Sequence, residues 1–451
     1  MSTKLYSLFL VFFSITFAEL QYIRNDWEDE SLPFPKISHN LIQHEEHRLA
    51  MRKMRHRQLS SNVEITPLYP GYGTHFSYVY VGSPPQRQSV IVDTGSQYTG
   101  FPCSGCSECG THTDSYWDVK ASSSASVQTC GQSNCVVSQS YAEGSTWQGY
   151  KVVDKFWVGG ISNNTVVEGS SFAVDFLFIC QTHETGLFRT QLADGIMGMS
   201  MGDLTLPHQL MKQGITDTHI FALCYRVGGG ILTLGGVDQR VHRGAPIQWT
   251  KLINEKGWFG VGLVEVAFQD RITGVLTSVA TASGSTSGFR GSSNMFRRSI
   301  VDSGTTDTYF PSAISSAFKA AFKKLTGINY SENEITLSSS ELAKMPNIVF
   351  SFESLPSSGG SGTGGGDSAA ATPAPFPVTM LAADYVDSVG NGKYAFRIYL
   401  SEPSGFLLGA NFMNGHNIIF DQDGGRVGFA RSKCKEDSRT LAGSGLAPNS
   451  K

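Results

Sequence analysis

The chain has 451 residues, of which 40% are hydrophobic and 16% charged, with 49 glycines. That length suggests two or three domains or one large bilobal unit, and the composition fits a loop-rich β protein better than a helical one. A formal net charge of −3 gives no electrostatic reason to expect a nucleic-acid partner.

Residues 1–18 read as a signal peptide: Lys4 precedes the apolar run from Leu8 to Phe13, and the small residues Thr16 and Ala18 follow. Residues 19–64 are polar and contain the basic cluster Arg48, Arg52, Lys53, Arg55 and Arg57. They are expected to be a prosegment whose positive charge covers an acidic site before removal. From residue 65 short strand patterns separated by turn residues dominate. Phe76 to Val81 alternates, and Val90 to Val92 and Ile300 to Val301 are apolar runs of the buried type. One helix is expected, from Pro311 to Leu325, where apolar residues recur at three- and four-residue intervals. Two Gly/Ser-rich stretches, 281–294 and 357–377, are expected to be surface loops. The tail 435–451 is polar. No segment beyond the leader is long and apolar enough to span a bilayer, so the mature chain is expected to be soluble and monomeric.

The chain repeats itself. Val90-Ile-Val-Asp-Thr-Gly-Ser96 is echoed by Ser299-Ile-Val-Asp-Ser-Gly-Thr305. Each is followed, at nearly the same distance along the chain, by two apolar residues and a glycine, at Ile196-Met197-Gly198 and Leu407-Leu408-Gly409. Two motifs recurring at matched offsets imply two lobes of one design, 65–246 and 247–434, related by an approximate two-fold axis. In each motif an apolar strand fixes an aspartate at its end. Gly95 and Gly304 lack side chains and allow the two loops to approach. Ser96 and Thr305 are placed to orient the carboxylates by hydrogen bonds, and Thr94 and Ser303 to tie each loop to the other lobe. Asp93 and Asp302, held together, would share one proton and titrate as a unit. Such a pair activates a water for hydrolysis and requires neither metal nor cofactor. Tyr141 to Gly149 lies between two strand-like runs, as a hairpin tip able to close over a substrate would.

These residues resemble the pepsin family of aspartic proteases, and the resemblance runs from about Thr66 to Cys434. It implies an all-β, two-lobed fold and an endopeptidase acting on proteins or peptides, with Asp93 and Asp302 catalytic and Tyr141 as the flap tyrosine. Thr306 is counted with the substrate-binding residues. Phe101 to Gly110 and Gln139 to Ser145 resemble one branch of the family in particular, which carries a cysteine-rich insertion. That branch prefers Arg-x-Leu and cuts after the leucine, and its specificity positions correspond here to Glu143 and Gln191. Arg57-Gln-Leu59 would then be a self-processing site. Members of that branch end in a membrane anchor, whereas the tail here is polar, and Ala142 stands where they have a flap cysteine. Most of the family carries a tryptophan after the first aspartate loop that hydrogen-bonds the flap tyrosine; Gly100 stands there instead, so the flap is expected to behave differently.

Eight cysteines behind a leader point to disulfides and an oxidising compartment, secreted or in the lumen of the endoplasmic reticulum. Cys103, Cys106 and Cys109 have metal-compatible spacing, but His112 stands alone beside them. Cys224 and Cys434 each follow an apolar run, are the only two outside the first-lobe group, and have a counterpart bridge within the family. They are expected to pair. Cys103, Cys106, Cys109, Cys130, Cys135 and Cys180 would pair among themselves. Asn163 and Asn329 head glycosylation sequons.

Overall fold

The computed structural model describes residues 63–159, 170–242, 244–282, 293–355 and 373–434. The leader, nearly all of the prosegment with its Arg57-Gln-Leu59 motif, Asn163, most of both Gly/Ser-rich stretches and the tail lie outside the described residues.

The repeat seen in the sequence becomes a repeated strand arrangement. Strand Gln86–Asp93 runs parallel to Gly195–Gly198, with Met197 opposite Val92 and Gly198 opposite Asp93. The same short strand runs antiparallel to Thr99–Ser107 on its other side. In the second lobe, Ile300–Val301 runs parallel to Leu407–Leu408, and Leu407 faces Tyr309 antiparallel on the other side. Each aspartate thus leaves its strand between two neighbours that fix the direction of the turn. Val90 and Val92 are fully buried in the main core, and Ile91 faces a second apolar cluster on the other side. Both faces of this strand are covered, so it reads as a continuous apolar run.

A six-stranded antiparallel sheet joins the lobes. Its order is Glu64–Pro70, Gly229–Leu234, Ile220–Arg226, His416–Asp421, Arg426–Arg431 and Gln248–Glu255. Three strands come from each half, and the central pairing sets Ala222 opposite Ile419. Phe221 stacks on Phe420 across this seam, with ring centroids 4.7 Å apart. Burying a side chain of that size stabilises by roughly 1.5–3 kcal/mol. The Cys224–Cys434 disulfide ties the same two halves, over a sequence separation of 210.

Several boundaries differ from those expected. Glu64, assigned to the prosegment, is buried in the first strand and pairs with Leu234, so the folded body begins before residue 65. Phe76 to Val81 is buried on both faces: Val79 and Val81 enter the main core, and Phe76, Tyr78 and Tyr80 form an aromatic cluster with Tyr69 and Trp157. The Gly/Ser-rich stretch ends before residue 377, because Phe376 packs on Phe352 and Phe429 and begins strand Phe376–Met380. The expected helix is Ser315–Thr326, preceded by a 3-10 turn and closed by Gly327 at φ 78°. Its buried Phe318 and Phe322 pack on Phe268. Among the described residues, no helix is long and apolar enough to cross a membrane.

Candidate active site

The two aspartate loops meet at the lobe boundary. The Thr94 hydroxyl donates to the Val301 carbonyl (3.0 Å) and accepts from the Ser303 N–H (2.9 Å). The Ser303 hydroxyl donates to the Val92 carbonyl (2.7 Å) and accepts from the Thr94 N–H (3.0 Å). These four bonds form a closed, buried ring with the two-fold relation of the sequence repeat. All of them cross between lobes and join a short, buried hydroxyl of one loop to the backbone of the other, which fixes the separation of the aspartates.

Glycine is required in each loop by contact. A Cβ on Gly95 would lie 2.7 Å from both carboxylate oxygens of Asp302, and one on Gly304 would strike Asp93 Oδ1. Each carboxylate therefore lies against the other loop's glycine. The Gly95 N–H donates to Asp93 Oδ1 at 2.8 Å, and the Gly304 N–H to Asp302 Oδ1 at 3.0 Å. The Thr305 hydroxyl donates to Asp302 Oδ2 at 2.7 Å. Its counterpart Ser96 is half-buried, and its hydroxyl lies by the Asp93 carboxyl and favours its ionised form, against the burial. The two carboxylates sit in unequal surroundings because Asp93 is buried and Asp302 only half-buried. Burial pushes the Asp93 carboxyl well above the usual carboxylate range, and the nearby Asp302 charge pushes it further.

The expected flap is a hairpin of Val136–Ser140 against Thr146–Gly159. The tip is only Tyr141 to Ser145, since the residues from Thr146 onward belong to the returning strand. The Tyr141 N–H donates to Ser145 O, and Gly144 takes φ 95° to make the turn. The Tyr141 ring lies 4.9 Å from Phe188. Its phenol accepts from the Trp147 indole N–H at 3.1 Å, and burial with the Asp93 charge raises its pKa. The tryptophan missing at Gly100 is thus replaced, as a donor, by one inside the flap. The reading of the sequence missed Trp147, although an aromatic residue just past a hairpin tip was visible. It also missed Trp258, whose indole N–H reaches across the lobes to the Gly95 carbonyl at 2.7 Å; no local pattern marks that contact.

Glu143 is exposed at the flap tip, and its charge helps to push the Tyr309 phenol of the second lobe up to about 12, after burial and Asp307. Gln191 is half-buried, and its amide donates to Gly195 O at 3.4 Å; no hydrogen bond joins it to Glu143 among the described residues. Thr306 packs against Gly73, where a Cβ would collide with its methyl group. Asn329 is exposed beyond the helix. The cysteines near His112 are used in disulfides: Cys103–Cys180, Cys106–Cys109 and Cys130–Cys135, besides Cys224–Cys434.

Two lobes of one design, each presenting an aspartate on a glycine loop at the shared boundary, define the architecture of bilobal aspartyl proteases. The family model for eukaryotic aspartyl proteases matches residues 74–432, and the chain belongs to that family, the pepsin family. Aspartic protease 5 of Toxoplasma gondii is 34% identical over 204 residues, covering 37% of this chain and 20% of that protein. Plasmepsin V of Plasmodium falciparum is 31% identical over 182 residues, covering 37% of this chain and 30% of that protein. Aspartic proteinase 36 of Arabidopsis thaliana is 25% identical over 439 residues, 87% of this chain and 82% of that protein. The matched region thus spans less than a third of the first two relatives, whereas the Arabidopsis match runs nearly end to end.

Proposed function

We propose that the protein is an aspartic endopeptidase whose catalytic pair is Asp93 and Asp302, each carboxylate lying against the other loop's glycine. One carboxyl keeps its proton and donates it to the scissile carbonyl; the other, ionised, takes a proton from the attacking water. A C–O bond forms, the C–N bond breaks, and the departing nitrogen receives a proton from the pair. The raised Asp93 carboxyl suits the protonated role, and Asp302, held by the Thr305 hydroxyl and the Gly304 N–H, takes the other. Asp93→Asn and Asp302→Asn keep the shape but cannot share the proton. Each is expected to fold and to lose hydrolysis, measured with peptide in excess; substantial turnover in either variant removes this assignment.

The finer reading is a preference for Arg-x-Leu, with cleavage after the leucine. It is supported by the likeness to Plasmepsin V and by Glu143, an exposed carboxylate at the hairpin tip two residues beyond Tyr141, since a carboxylate can grip a guanidinium with two parallel hydrogen bonds. Comparing Arg-x-Leu, Lys-x-Leu and Ala-x-Leu peptides in the parent and in Glu143→Ala tests it. Equal cleavage of all three by the parent refutes the preference, and a preference that survives Glu143→Ala refutes the residue. The leader-like start and the four disulfides support a secretory-pathway life, with a prosegment removed after the basic cluster. Export from cells expressing the whole chain, and the N-terminus of the exported form, check both.

A further inference from the structure

His112 lies where the cysteine-rich insertion meets the segment that carries Gln191. Its side chain and that of Glu184 are fully enclosed. One ring nitrogen, Nε2, is 2.6 Å from the Cys109 carbonyl, and the other, Nδ1, is 3.2 Å from the Gln191 carbonyl. A carbonyl only accepts, so both nitrogens must carry hydrogen for both bonds to exist, and the ring is then an imidazolium. Its counter-charge is the Glu184 carboxylate, 3.6 Å from Nε2, neither of whose oxygens accepts a hydrogen bond among the described residues and whose pKa burial raises while His112 lowers it.

The neighbouring contacts follow the same line. The Thr113 hydroxyl donates to the Leu192 carbonyl (2.7 Å), and the Asp114 N–H to Asp194 Oδ1 (2.8 Å). A Cβ on Gly110 would strike the Arg189 carbonyl. Residues 109–114 are thus stitched to residues 189–194, and that second segment begins just beyond Phe188, which holds the flap tyrosine.

We propose that His112 is a positioning residue: as an imidazolium it fixes the Gln191 side of the substrate cleft to the cysteine-rich insertion, and peptide binding weakens when that proton is lost. The proposal rests on the reading of this cleft as the peptide site. Besides Glu184, the ionisable groups around the pair are Asp194 and His183, whose charges reach Glu184, and Tyr116, which Glu184 influences in turn. Burial alone would lower the His112 pKa, but the Glu184 carboxylate and the two carbonyls outweigh it and hold the ring above its ordinary value. The two ring bonds are therefore complete below that value and lost as the pH rises through the raised one. Nδ1 or Nε2 then loses its hydrogen, and one carbonyl loses its donor.

The test has two arms. In 15N-histidine spectra of the full chain, with the His112 signals identified by their absence in His112→Gln, both ring nitrogens should remain protonated at a pH where an ordinary histidine, with a pKa of about 6.5, is neutral. Glu184→Gln should bring that transition down. In the second arm, an Arg-x-Leu peptide is titrated onto the Asp302→Asn variant, so that affinity is read without turnover. Its Kd should rise roughly tenfold through the His112 transition, in keeping with the loss of one charge-assisted hydrogen bond. His112→Gln should bind weakly at every pH, and Glu184→Gln should shift the rise in Kd together with the ring transition. A ring that is neutral at low pH, or an affinity indifferent to both substitutions, overturns the proposal. Peptide binding that follows His112 in a protein whose parent form cuts nothing leaves this inference standing and removes the endopeptidase reading instead.

Discussion

Trp147 donates its indole N–H to the Tyr141 hydroxyl at 3.1 Å, and both residues belong to one hairpin. Trp147 is buried with Ile179, Phe188 and Ile196, so the flap tyrosine is held by a residue that leaves the flap and enters the core. Trp147→Phe keeps most of the packing and removes only the donor. It is expected to lower kcat/KM about fivefold, the value of one hydrogen bond of about 1 kcal/mol. If the bond acts through the phenol, Trp147→Phe has no further effect in a Tyr141→Phe background; additive losses in that double-mutant cycle would make Trp147 a packing residue only.

The glycines of the two loops give a sharper test. Gly304→Ala puts a methyl group into Asp93 Oδ1, and Gly95→Ala puts one 2.7 Å from Asp302. Neither neighbour is free to yield, because the buried ring of Thr94 and Ser303 bonds fixes both loops. Displacements of this kind at a reacting pair cost on the order of a hundredfold in rate. Both variants should keep a cooperative thermal transition and lose at least that much kcat/KM; near-parental activity in Gly304→Ala would contradict the close approach.

How much of this was legible in the sequence depended on distance along the chain. The aspartate loops were visible because each is a contiguous pattern, repeated: an apolar strand, an Asp, a hydroxyl residue and a Gly. The Tyr141 hairpin was visible for the same reason. The pairing of Ile220–Arg226 with His416–Asp421 was not, since no local pattern says which of many similar apolar runs will be neighbours. Trp258 reaching Gly95, and His112 reaching Gln191, are likewise contacts between remote segments made by residues that are ordinary in their local setting. Boundary errors had another cause. Glu64 and Phe376 sit at the polar ends of real strands, where composition says loop and burial against Leu234 or Phe352 decides otherwise.

The Cys224–Cys434 disulfide closes a long loop, with a sequence separation of 210, and lies beside the interlobe sheet. Cross-links across long loops restrict the unfolded chain most, and removing a native one costs roughly 2–5 kcal/mol. The Cys224→Ser, Cys434→Ser double variant should therefore unfold at a clearly lower denaturant midpoint than the parent, with the active pair still assembled below the transition. An unchanged midpoint would mean that the sheet alone sets the lobe-to-lobe stability.

The last prediction concerns pH and the aspartate pair. The folded protein holds the Asp93 carboxyl well above its ordinary 3.8, mainly through burial and then through the Asp302 charge. In the unfolded chain that carboxyl loses its proton near the ordinary value, so between the two values the folded state binds the extra proton. Stability must then fall as the pH rises from the unfolded pKa towards the folded one, and the penalty stays in force at higher pH. The cost is what the proposed mechanism implies, since it needs one proton shared between two carboxylates. Asp93→Asn removes the titration and keeps the shape. Its melting temperature should exceed that of the parent at neutral pH, and the difference should shrink as the pH is lowered towards the ordinary carboxylate pKa, where Asp93 is protonated in both states. Thermal unfolding of parent and variant across that range measures it. A variant less stable than the parent at neutral pH would show that the Gly95 N–H bond to an ionised Asp93 outweighs the burial of its charge, and would move the shared proton to Asp302.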